Sequence, residues 1–159
     1  MKHFLCALLL AAIAPIAAAG ELRPFTTDTL AEIRSQHAGR PFMLTLWSLT
    51  CHHCAKELRM LGKLAAKGSK LPLAIVSTDT PHDEQDIRAA LKRFDLDHLD
   101  TWVFADPIPE RLRHAIDPTW RGELPKSYLY DATHRPEAHS GALDESTLRK
   151  FLQSKGGTR

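Results

Sequence analysis

The chain is poor in several features that would assign it quickly. It has three cysteines in 159 residues, too few for the disulfide framework of a small secreted scaffold. It has no run of five Lys or Arg and a formal charge of only +2, so it offers no electrostatic footprint to a nucleic acid or an anionic membrane. Repeats, low-complexity segments and internal linkers are missing too, which excludes repeat arrays and leaves one domain. No apolar run reaches the ~20 residues needed to cross a bilayer core. What remains is 43% apolar and 25% charged residues, a globular composition in a length that buries a core without disulfide staples.

The first residues differ from the rest. "MKHFLCALLLAAIAPIAAAG" has one early lysine, an apolar stretch from Phe4 to Ile16 broken by Pro15, and then Ala17-Ala18-Ala19. A short apolar stretch ending in an A-x-A triplet describes a cleaved secretory signal. Residues 1–19 are therefore expected to leave as a leader, with 20–159 as the mature domain, placed in the periplasm. Cys6 would leave with the leader, and so would Lys2, lowering the charge to +1. Cys51 and Cys54 are then the only cysteines. A bridge between them closes almost no loop and stabilises little by chain entropy. In an oxidising compartment, such a pair is better suited to chemistry than to scaffolding.

The element pattern alternates. Thr27 to His37 reads as a helix capped by Asp28 and ended by Gly39. "PFMLTLWSL" and "LPLAIVST" are continuous apolar runs of strand length, suited to buried parallel strands. Between them a helical pattern opens at Cys51, with Leu58, Leu61, Leu64 and Ala65 at three- and four-residue steps and Gly68 as its stop. Thr80, Pro81 and Asp83 start a helix carrying Ile87, Leu91 and Phe94. "DTWVFAD" is a short strand, "PERLRHAI" a short helix and "SYLYD" a further strand. A turn leads to a polar edge segment at Glu137 to Ser140, and Asp144 caps a last helix carrying Leu148, Phe151 and Leu152. The expected class is α/β: a mixed central sheet flanked by helices, with a C-terminal hairpin and closing helix.

A buried strand running into C-x-x-C at a helix start has a chemical logic. The helix dipole and outward-pointing N–H groups stabilise a thiolate at Cys51. The thiolate is the attacking species in disulfide exchange. Cys54, one turn further in, is shielded and suited to resolve the mixed disulfide.

"LTLWSLTCHHCAKEL" resembles the active-site segment of thioredoxin-like proteins of the periplasmic TlpA/ResA type. Trp47 stands four residues before Cys51, and Glu57 three after Cys54. "AIVSTD" resembles the strand that follows there. "GELPKSYLYD", about seventy residues downstream, resembles the segment bearing the family's cis-proline. The resemblance covers roughly residues 25 to 153. It implies a thioredoxin fold and a protein thiol–disulfide oxidoreductase with no dissociable cofactor. It also implies a cis Pro125 opposite the cysteines, with the Leu124 backbone turned toward a client peptide. Protein clients with thiols or disulfides, a membrane redox partner that resets the pair, and a monomeric state complete the expectation.

The chain departs from that pattern twice. Thioredoxins proper carry a buried acid six residues before the first cysteine, where this chain has Thr45. Glu57 or Glu123 could relay the proton instead, or each could be a solvated or salt-bridged surface acid. The residues between the cysteines are His52 and His53, and a histidine before the second cysteine resembles strongly oxidising relatives of the DsbA type. An imidazole there favours the Cys51 thiolate and makes the couple more oxidising. The short scaffold lacks the helical insertion of those oxidants, so the direction of electron flow stays open. Trp120 and Tyr128 are candidates for an apolar client-binding rim.

A second reading is metal handling. Reduced Cys51 and Cys54 would suit Cu(I). A closed four-ligand zinc site does not fit, because four adjacent donors cannot converge from one helical turn. His82, His98, His114, His134 and His139 lie in polar stretches without ligand spacing. A cysteine hydrolase fits worse, since the second cysteine would quench the nucleophile as a disulfide.

Overall fold

The computed structural model describes residues 20–68 and 71–155; the expected leader lies outside them. The order is β1 (Leu22–Phe25), α1 (Thr29–Gln36), β2 (Phe42–Trp47), α2 (Cys54–Ala66), β3 (Leu73–Ser77), a 3₁₀ turn (Pro81–Asp83), α3 (Glu84–Arg93), β4 (Thr101–Phe104), α4 (Pro109–Ile116), β5 (Lys126–Tyr130), β6 (Pro136–Ser140) and α5 (Glu145–Lys155). The strands form one sheet in the order β1-β4-β3-β2-β5-β6. β1 pairs with β4, β4 with β3 and β3 with β2 in parallel; β5 adds antiparallel to β2, and β6 antiparallel to β5.

Alternation across the sheet decides what faces what. Met43, Trp47, Ile75, Val103 and Leu129 point to one face, where Leu58 and Leu61 of α2, Ile87 and Leu91 of α3, and Leu148 and Phe151 of α5 cover them. Phe42, Leu44, Leu46, Val76 and Tyr130 point to the other, against Leu30 and Ile33 of α1 and Leu112 and Ile116 of α4. Covering on both faces explains why β2 reads as an unbroken apolar run and is buried at every position. No described helix is long and apolar enough to cross a membrane.

Two boundaries differ from the sequence expectation. β1 has no counterpart there: it is four residues long and contains Pro24, which an edge strand tolerates because one of its sides needs no donor. And α2 starts at Cys54, not Cys51; Cys51 to His53 form the turn that feeds it, with the Cys54 N–H on the Cys51 carbonyl at 3.1 Å. Gly68, at φ +72°, ends α2 with its N–H on the Ala65 carbonyl at 2.9 Å.

Gly62 lets α2 and α3 touch. A Cβ there would lie 1.8 Å from the Phe94 carbonyl oxygen, which is backbone and cannot swing aside. Helix propensity alone would favour alanine by about 1 kcal/mol. The clash should win: Gly62→Ala is expected to destabilise by about 3 kcal/mol, read as a lower urea midpoint with unchanged slope.

Asp144 caps α5 as expected, accepting from the Thr147 N–H at 2.8 Å and the Ser146 hydroxyl at 2.8 Å. The Thr147 amide first, then these hydroxyls, hold its carboxyl down to about 2. A depressed folded value contributes stability above the unfolded value of about 3.9 and loses it as pH falls toward the folded one. Protection of the first turn of α5 from amide exchange should therefore fall between about pH 4 and pH 2, and Asp144→Ala should abolish that dependence.

Candidate active site

The site forms where β2 ends. Trp47 is its last residue, and the chain turns outward through Ser48–Thr50 to the cysteines. Two bonds from the end of β3 hold that turn. The Thr78 N–H donates to the Trp47 carbonyl at 2.8 Å and the Leu49 N–H to Asp79 Oδ2 at 2.9 Å, an oxygen steadied by the Ser77 hydroxyl at 2.6 Å. Cys51 and Cys54 are joined in a disulfide with an S–S distance of 2.03 Å. The two sulfurs are unequal: Cys54 is 1% exposed, whereas Cys51 is half-buried. The Cys54 N–H donates to Cys51 Sγ at 3.2 Å.

Within the apolar core, on the α2 side of the sheet, lies a polar cluster that includes Glu57, one turn into α2 from Cys54. Glu57 is 1% exposed, so it is not a surface acid. Its Oε1 accepts from the hydroxyls of Thr45 and Ser127, and its Oε2 from the Leu143 N–H at 2.8 Å. The two hydroxyls are themselves 2.6 Å apart. The register explains the meeting: Thr45 pairs with Ser127 across β2 and β5, both on the α2 face, and Glu57 descends from α2 onto them. Glu57, three residues after Cys54 and on the same side of the helix, thus sets a carboxylate against Thr45.

The same register, continued by one step beyond Leu46↔Lys126, brings Pro125 level with Trp47. The Leu124–Pro125 bond is cis. Leu124 is half-buried, packed against both cores.

Two expected site residues are placed differently. Trp120 is 4% exposed and belongs to the α1/α4 face, with Nε1 donating to the Glu123 carbonyl at 2.9 Å. It offers a client no surface and instead fixes the loop leading to Leu124. Tyr128 is buried on the same face, its hydroxyl on Asp117 Oδ2 at 3.0 Å; burial first, then that bond, pushes it above the usual tyrosine range. Glu123 is exposed and engaged by Lys126 at 3.2 Å and by the Ser140 hydroxyl at 3.2 Å. Burial works against its ionisation, but its own amide, Lys126 and the Arg121 amide hold it below the ordinary range. That commitment makes it an ion-pair partner.

Both histidines are exposed. His53 is the residue before α2 and makes no side-chain cap bond. His52 faces a cavity of about 430 Å³ beside the disulfide, lined also by Trp47, Leu49, Cys51, Leu58 and, from α3, Asp86, Ala89, Arg93 and Phe94. The α3 contribution was not foreseen from sequence; the sign available was Leu49, an exposed leucine next to the cysteines. Among the described residues no group of three or more His, Cys, Asp or Glu is gathered as a metal site.

No protein-family model matches the chain, and no curated protein matches it in sequence. Solved structures do match in fold. A secreted disulfide oxidoreductase of Mycobacterium tuberculosis, described as homologous to Escherichia coli DsbE, superposes with a TM-score of 0.60 at 17% identity, over 76% of this chain and 85% of that one. A thiol:disulfide interchange protein of the thioredoxin family from Chlorobium tepidum gives 0.61 at 12% identity, over 78% and 85%. A thiol-disulfide isomerase from Corynebacterium glutamicum gives 0.62 at 13% identity, over 90% and 98%. The chain has the thioredoxin fold, and its structural neighbours are thioredoxin-like thiol:disulfide interchange proteins.

Proposed function

We propose that the protein is a thiol–disulfide oxidoreductase of the periplasm that exchanges electrons with cysteines of client proteins. The observation that carries this reading is the pair itself: a half-exposed Cys51 bridged to a buried Cys54 at the start of α2, whose next turn carries the buried Glu57.

In the reducing direction, the Cys51 thiolate attacks a client disulfide. A Cys51–client bond forms, the client S–S bond breaks, and the leaving client thiolate takes a proton from water. Cys54 then loses its proton, attacks Cys51 Sγ, and the second client thiolate departs. The client gains two electrons and the pair becomes the disulfide. Glu57 is the acceptor for the Cys54 proton. Its Oε1 already accepts from the Thr45 and Ser127 hydroxyls, which hold the carboxylate in place one helical turn after Cys54. Oxidation of a client runs the same steps backward.

Leu124, before Pro125, is the backbone offered to an extended client segment, and His52 and His53 tune the potential by favouring the Cys51 thiolate. No dissociable cofactor is needed, and a membrane redox partner resets the pair of a monomeric protein. Residues 1–19 are removed on export. Gly20 suits a new terminus: its N–H donates to the Asp97 carbonyl at 2.7 Å, Arg88 donates to its carbonyl at 3.2 Å, and a Cβ would meet the Leu99 oxygen at 1.9 Å. The mass of the exported protein should begin at Gly20; a mass retaining the leader would refute cleavage.

Two assays test the activity: reduction of insulin by dithiothreitol, and oxidative refolding of reduced ribonuclease. The protein should accelerate at least one of them. Acceleration of neither would sink the reading.

A further inference from the structure

Helix α2 carries a feature that the exchange chemistry does not use. Along its outer side Lys56, Arg59, Lys63 and Lys67 recur at three- and four-residue steps, all of them exposed. With half-buried Met60 and Leu64, and with Glu145 from α5, they line a groove of about 260 Å³. Three other helices each carry an ion pair on their surface: Glu84 with Arg88 in α3, Glu110 with Arg113 in α4, Glu145 with Arg149 in α5. In α2 the only acid is the buried Glu57, and among the described residues Lys56, Lys63 and Lys67 have no ion pair. Arg59 lies over the Phe94 ring at 5.8 Å, which leaves its charge uncompensated. Like charges one turn apart destabilise a helix, so the stripe opposes the stability of its own element.

We infer that this groove docks an acidic segment of the protein that exchanges disulfides with Cys51. The inference rests on the redox reading of the cysteines and adds the chemistry of the partner. The stripe begins two residues after Cys54 and runs eleven residue steps, from Lys56 to the capping Lys67, about 16 Å, the length of about five residues of extended chain. A chain seated at Cys51 can run along it, its carboxylates meeting the cations. Met60 and Leu64 give the groove an apolar floor for one side chain between them, and methionine adapts to varied shapes. A flat layer of anionic lipid headgroups would answer the charge but neither the concavity nor the floor.

The test uses the reduced protein and two synthetic peptides with the same cysteine, supplied as mixed disulfides with glutathione. One continues into Asp and Glu around a Leu; the other has Lys in place of the acids. The acidic peptide should react about tenfold faster at low ionic strength. That ratio should fall toward one in about 1 M salt, where the Debye length is about 3 Å, and in the Lys63→Glu/Lys67→Glu variant. Equal rates, or a preference that survives the charge reversal, would overturn the inference. Binding to phosphatidylglycerol vesicles without any peptide preference would overturn the peptide as occupant. Cysteines that fail to react even with glutathione disulfide would overturn the redox reading and the docking role with it, whereas equal peptide rates in a reactive protein overturn the groove alone.

Discussion

Cys51→Ser should abolish disulfide exchange, while Cys54→Ser should react once with a client and stop. The two sulfurs differ in access: Cys51 is half-buried, and Cys54 is 1% exposed. A client can reach only the first. Serine at that position offers no nucleophile of comparable strength, since the thiolate is what attacks, and a loss of at least about a thousandfold is expected. With serine at position 54 the first attack proceeds, but nothing expels the client, so a covalent complex that a reductant dissolves should accumulate. Mass spectrometry of each variant after incubation with a client disulfide distinguishes them. A trapped complex through Cys54 in the Cys51→Ser protein would reverse the assigned roles.

The second large effect is at Glu57. Glu57→Gln keeps the size of the side chain but cannot take a proton. Attack of Cys51 on a client should change little, and resolution by Cys54 should slow by about a hundredfold, the low end of general-base contributions. The trapped intermediate should then be visible in a protein that still has both cysteines. Glu57→Leu is a different experiment, because it strands the Thr45 and Ser127 hydroxyls and the Leu143 N–H in the core. Unpaired buried donors and loss of the carboxylate should cost about 3–5 kcal/mol, measured by urea unfolding. Stopped-flow fluorescence from Trp47, buried in the same core cluster as Cys54, reads the kinetic arm. Resolution at the wild-type rate in Glu57→Gln would make Glu57 a structural acceptor only.

The site was legible in the sequence where chemistry and local pattern coincide. Cys51 and Cys54 follow an apolar strand and open a helix, and Leu124–Pro125 lies just before the next strand to pair with β2. Glu57 was legible only as a spacing. That it faces Thr45 and Ser127 depends on a strand pairing 82 residues apart in the chain, which no local pattern reveals. Trp120 failed as a rim residue because a tryptophan in a loop reads the same whether it faces a client or folds under the loop. β1 escaped because four residues with a proline carry no periodicity. The cationic groove shows a related limit. No basic run exists in the chain, yet four cations at helical steps gather on one side of α2, and only the fold shows that Glu145, the acid at the same groove, is already paired with Arg149.

The most direct measurement is the equilibrium of the mature protein in glutathione buffers of graded redox ratio, with the fraction of Cys51–Cys54 disulfide read by mass after alkylation. A reversible two-electron couple is predicted, lying between about −270 mV, as in thioredoxin, and about −120 mV, as in DsbA, and moving toward the reducing end in His52→Ala/His53→Ala. Cysteines that stay locked in one state across that whole range would contradict the redox function.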